Sequence, residues 1–152
     1  MNTKEILVDQ LDATLENTWF VSLKNSIDGL TEEQANWKAY EATNSIFEIV
    51  NHLMYYNERC LKRFKGNSVE PNDHSDTFRN REGLSWEAAA AKLNDMMLEW
   101  KNAVVETDSS HLDEEKAGDI PYLTIHTAYH TGQILFIRKL QGSWDSESGV
   151  QG

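Results

Sequence analysis

The feature that most limits what this chain can fold into is a three- and four-residue recurrence of apolar side chains. It is sustained over four separate stretches, and strand-like alternation is absent over any useful length. Such spacing gathers apolar groups on one side of an α-helix and leaves the other side to solvent. Residues 3–28 carry Ile6, Leu7, Leu11, Leu15, Trp19, Leu23 and Ile27 at these steps and predict one amphipathic helix, stopped by Gly29. Residues 29–44 are mostly polar and read as a connector with one helical turn. A second helix opens at Ser45, whose spacing to Glu48 makes a capping box, and runs to about Lys65 with Gly66 as its terminator. Its apolar face is Ile46, Ile49, Val50, Leu53, Cys60, Leu61 and Phe64. A third begins near Ser85 with the helix-favouring run EAAAAKL, continues through Leu93, Met96, Met97, Trp100 and Val104, and ends before Thr107. The fourth runs from about Pro121, tolerated in a first turn, to Gly142.

These segments predict an all-α four-helix bundle, with residues 1–142 as a single domain and 143–152 as a polar tail, frayed apart from Trp144. The connection over residues 66–84 is long for a bundle. Such a loop either crosses the length of the bundle, letting the second and third helices run parallel, or covers a site as a lid. A net charge of −11 counts against nucleic acid and anionic membranes as partners, because phosphate groups need a basic surface. No apolar run approaches the length of a membrane span. The opening MNTKEILVDQLD lacks a signal peptide's apolar core, and the single cysteine, Cys60, allows no internal disulfide. Both predict a cytoplasmic location.

The chemistry concentrates in "TIHTAYHTGQILFIRKLQG", residues 124–142, where His126 and His130 stand one helical turn apart. On a helix they share a stripe with Gln133 and Ile137, flanked by Tyr122, Leu123, Tyr129, Ile134 and Leu140. This predicts a histidine pair facing inward, with Thr127, Thr131 and Arg138 facing outward. A second apolar flank of Ile125, Ala128, Gly132, Leu135 and Phe136 implies that the helix is deeply buried or lies at an interface. Two imidazoles at this spacing either hydrogen-bond within a core or hold one metal ion. A catalytic divalent site typically takes three protein ligands and leaves one position open. His52, at the edge of the second helix's apolar face beside Ile49 and Tyr56, is the candidate third. Glu48 reads as a capping residue, Gln133 as a ligand-orienting or packing group, and Tyr55, Tyr56 and Tyr129 as core or rim aromatics. His74 and His111 read as solvated loop residues, and Cys60 as a buried thiol.

"HTAYHTGQILFIRKLQG" resembles the last core helix of the DinB/YfiT-like superfamily, whose pattern is H-x-x-x-H-x-G-Q-I followed by apolar residues and a basic one. "SIFEIVNHLMYYNERCLKRFKG" resembles the family's second helix, where a histidine supplies the third metal ligand. "GLTEEQANWKA" and "GLSWEAAAAKLND" are similar to its helix entries. The resemblance implies an up-down-down-up bundle and a divalent metal, often nickel or zinc, held by His52, His126 and His130. It also implies metal-dependent thiol transfer or related chemistry in detoxification, with a low-molecular-weight thiol as co-substrate, and frequent homodimers. Three neutral imidazoles would leave the ion its full charge, so that it activates a water or a thiol supplied from outside, Cys60 being buried. Glu48, Tyr56 and Gln133 are the candidates for a general base. Imidazole ligands suit zinc, nickel, copper and iron alike. Two functions follow. One is a metal-dependent hydrolase or thiol-S-transferase acting on a small molecule. The other is a non-catalytic binding bundle in which a fourth ligand, such as His74 or Glu48, makes the metal a structural staple.

Overall fold

The computed structural model describes residues 2–72 and 76–150; His74 lies outside them. Among the described residues the chain is all-helical, without a strand. In chain order the α-helices are α1 (Thr3–Leu15), α2 (Leu23–Ile27), α3 (Glu32–Asn36), α4 (Ile46–Phe64), α5 (Trp86–Glu106), α6 (Glu114–Ala117) and α7 (Asp119–Gln141). No helix is long and apolar enough to cross a membrane, among the described residues.

The three long helices after residue 45 begin and end close to where their sequences say they should. Ser45 Oγ accepts the Glu48 amide at 3.2 Å, and Glu48 Oε2 accepts the Ser45 amide at 2.7 Å, closing the expected capping box on α4. Ser85 caps α5, its hydroxyl accepting the Ala88 amide. Gly142 ends α7 at φ 76°, a left-handed conformation that costs glycine little, so that its amide and that of Ser143 reach back to the carbonyls of Lys139 and Arg138.

The single helix expected over residues 3–28 is in fact two, α1 and α2, separated by irregular backbone at 16–22. Local polar groups outcompete the helix there. Asn17 Oδ1 accepts both the Ser22 amide (2.9 Å) and the Asn25 side-chain amide (2.8 Å), while Ser22 Oγ caps α2. The break carries Trp19 out of the predicted apolar face to 96% exposure, whereas Leu7, Leu11, Leu23 and Ile27 remain buried.

α1 packs against α5 and α7, and α4 packs against the same two, so the four long helices ring one core. Phe47 meets Trp86 edge-on (centroids 5.6 Å) and Phe64 meets Trp100 (5.3 Å), tying both ends of α4 to α5. Trp86 is fully buried, yet its indole N–H is satisfied by the Leu30 carbonyl at 2.8 Å.

α7 is turned differently from the prediction. Thr127, Thr131 and Arg138, expected outside, are buried together with Ile120, Leu123, Thr124 and Ile134. Tyr122, Ile125, Tyr129, Phe136 and Leu140 are exposed. The polar residues enter because their hydrogen bonds are met inside the fold. Thr131 Oγ1 donates to the Thr127 carbonyl (2.8 Å), and Thr124 does the same to Ile120 (3.1 Å). Arg138 donates to the carbonyls of Ser26, Asp28 and Ser143, and its guanidinium stacks on Trp144. The tail that Trp144 begins forms a further turn at Ser146–Ser148 rather than fraying at once.

Candidate metal centre

α4 and α7 face each other across a seam on which three imidazoles converge. His52 sits two turns into α4, at the edge of its buried face; His126 and His130 sit one turn apart on α7, and His130 is only 6% exposed. His126 Nε2 lies 3.1 Å from His52 Nε2 and 3.0 Å from His130 Nε2. The three ligand atoms thus cluster within 4.8 Å of one another, the sole such group among the described residues.

Two of the rings are held from behind. His130 Nδ1 lies 2.7 Å from Gln133 Oε1; a carbonyl oxygen only accepts, so Nδ1 donates and the Nε2 lone pair points into the cluster. His52 Nδ1 lies 2.7 Å from the Thr77 hydroxyl, and Phe78 stacks on the His52 ring with centroids 4.2 Å apart and planes at 6°. Burial, joined by the other two rings, drives the His52 pKa down to about 4. Burial also lowers His126 and His130, with His130 adding to the effect on His126. All three are therefore neutral near pH 7, the form that ligates a metal.

The cluster opens into a cleft of about 290 Å3 between the two helices, lined by His52, Tyr56, Cys60, Asp119, Tyr122, Leu123 and His126. His52, Tyr56 and Cys60 recur at four-residue steps on α4 and form one wall. Tyr56 meets His52 and His126 edge-on. At the far end Arg63 donates to Asp119 Oδ2 (2.7 Å) and to Cys60 Sγ (3.1 Å). Burial pushes the Cys60 thiol up, so it stays protonated near neutral pH.

The family model described as the DinB superfamily matches residues 10–135, most of the chain. The chain belongs to the DinB superfamily. No curated protein and no solved structure was found to match it.

Among the residues singled out from sequence, this DinB-superfamily chain brings together His52, His126, His130, Tyr56 and Gln133. Glu48 is engaged elsewhere, in the α4 cap and with Lys38 at 2.7 Å. His111 is exposed in a turn over Ser109–His111. Sequence reasoning missed Thr77, Phe78, Arg63 and Asp119. The one signal for the first two was the unusual length of the connector that carries them.

Proposed function

We propose that this protein is a metal-dependent enzyme in which His52, His126 and His130 hold one divalent ion, nickel or zinc, at the head of the α4–α7 cleft. The observation that carries the proposal is the facing of three neutral imidazole nitrogens. With Nδ1 of His130 committed as a donor, and that of His52 able to be one, the Nε2 lone pairs point at one another. His126 has one Nε2 proton at most and cannot satisfy both neighbours, whereas a cation would satisfy all three. Membership of the DinB superfamily supports the same assignment.

Such an ion supplies Lewis-acid activation of a water or a low-molecular-weight thiol. The protein's residues bind and orient the second reactant. Tyr56 and Leu123 give the cleft an aromatic and aliphatic wall, and Arg63 neutralises Asp119 at its far end. Cys60, protonated and bonded by Arg63, is no nucleophile, which favours a thiol from outside. Glu48 has both oxygens engaged, which counts against it as the fourth ligand of a closed staple. Thiol-S-transfer to a small electrophile, or hydrolysis, is the reaction class that fits.

The helix pairings support an up-down-down-up bundle. Phe47 with Trp86 and Phe64 with Trp100 match α4 and α5 end for end, while His52 with His126 and Arg63 with Asp119 oppose α4 and α7. Lys4 with Val105 and Lys101 with Asp12 oppose α1 and α5. A homodimer would find its surface on the exposed apolar side of α7. The deciding experiment follows consumption of a model electrophile by nickel- or zinc-loaded protein across a panel of small thiols. Thiol-dependent turnover that His126→Ala abolishes is expected. Turnover indistinguishable between the two proteins would remove the enzyme assignment.

A further inference from the structure

The crossover between α4 and α5 does more than span the bundle. Residues 76–84 are braced internally: Asp76 Oδ1 accepts the Phe78 amide at 2.9 Å, and Asn80 bonds both the amide and the carbonyl of Leu84. They are also docked on α4, where the Arg81 guanidinium lies over the Tyr55 ring at 4.6 Å, and Phe78 and Leu84 pack against the core. What this braced segment delivers is two contacts to one ring, the hydroxyl of Thr77 on His52 Nδ1 and the face of Phe78 along the imidazole plane.

We propose that Thr77, backed by Phe78, is a positioning residue that fixes the tautomer and tilt of His52 for metal capture. This rests on the metal assignment above. An imidazole that rotates freely offers either nitrogen to an ion. Thr77 accepting from Nδ1–H leaves the lone pair on Nε2, aimed at His126, and Phe78 stacked at 6° blocks rotation of the ring out of that plane. Gln133 does for His130 on α7 what Thr77 does for His52 on α4. The difference is that Gln133 lies three residues from its histidine on the same helix, whereas Thr77 reaches His52 from 25 residues away. One of the two hydrogen bonds that hold these rings from behind therefore comes from a loop.

The test compares Thr77→Val, which keeps the shape and loses the acceptor, with Thr77→Ser, which keeps the hydroxyl. Cobalt(II) serves as the probe, titrated by its visible absorption, and the tautomer of His52 in metal-free protein is read from imidazole nitrogen chemical shifts. Thr77→Val is expected to weaken cobalt binding by about 10- to 100-fold, the range for loss of such a partner, and Thr77→Ser to stay within about threefold of wild type. The wild-type His52 ring should be protonated on Nδ1, and in Thr77→Val it should become a tautomer mixture, with the metal-free melting temperature unchanged. Equal cobalt affinity in Thr77→Val and wild type overturns the proposal, as does an Nε2-protonated His52 in the wild type, a reading that needs no variant. Wild type that takes up no cobalt overturns the metal assignment itself.

Discussion

Helix α4 packs against two neighbours, and its two seams are built for different ends. Toward α5 it presents Phe47 and Phe64 to Trp86 and Trp100, large apolar groups buried almost completely. Toward α7 it presents His52, Tyr56 and Cys60 to His126 and Asp119, around an open cleft. The first seam removes apolar area from water and stabilises the fold. The second leaves three rings in burial that disfavours their charged form and arranges their nitrogens face to face. A single amphipathic helix thus separates apolar packing from the imidazole cluster by face, and the two should respond to substitution independently.

That separation can be broken by experiment, and the largest effect belongs to the apolar seam. Trp86→Ala should cost about 4 kcal/mol of folding free energy in urea unfolding, through the cavity it leaves and the Leu30 carbonyl it strands. A cost below about 1 kcal/mol would mean the seam is not what holds the helices. The reverse pattern is expected at His126→Ala. Its cobalt affinity should fall by more than about 100-fold, beyond the loss expected from an outer partner alone, while the metal-free protein stays within about 1 kcal/mol of wild type.

A subtler signature lies in pH. The folded His52 has its pKa lowered to about 4, against an ordinary value of 6.5. Between those values the unfolded chain binds the proton and the folded one does not, so stability of the metal-free protein falls as pH drops from about 6.5 toward about 4. Above 6.5 neither state is protonated, and the contribution vanishes. Because all three rings are held below their ordinary value, metal affinity should accordingly hold level through pH 6.5 and fall only below it, measurable by calorimetry. His52→Gln should flatten part of the stability slope. The smallest effect is expected on the exposed side of α7: Phe136→Ser should leave unfolding within about 0.5 kcal/mol of wild type and alter only self-association, read by sedimentation.

What the sequence told and what it withheld follow the range of the interactions concerned. Helices α4 and α5 were legible because their signals are local: a serine cap at each start, Gly66 after α4, and apolar residues at helical steps, all of which are buried in the structure. The histidine cluster was legible for a related reason, since the four-residue spacing of His126 and His130 aims two rings the same way and His52 sits on a face boundary. The break at 16–22 was hidden because periodicity continues through it while Asn17 and Ser22 quietly offer the backbone other partners. The rotation of α7 was misread because hydropathy counts Thr131 and Arg138 as outward groups, although their hydrogen bonds are met inside. Thr77 on His52 and Arg63 on Asp119 join residues 25 and 56 positions apart, and no local pattern encodes such pairs.

The central claim is that three imidazoles share one cation, and X-ray absorption at the metal edge of nickel- or zinc-loaded protein tests it most directly. Multiple scattering from three imidazole rings, with metal–nitrogen distances of about 2.0–2.1 Å for zinc, is the expected result. In thiol-free buffer, a sulfur neighbour, or scattering from fewer than three imidazoles, would contradict it.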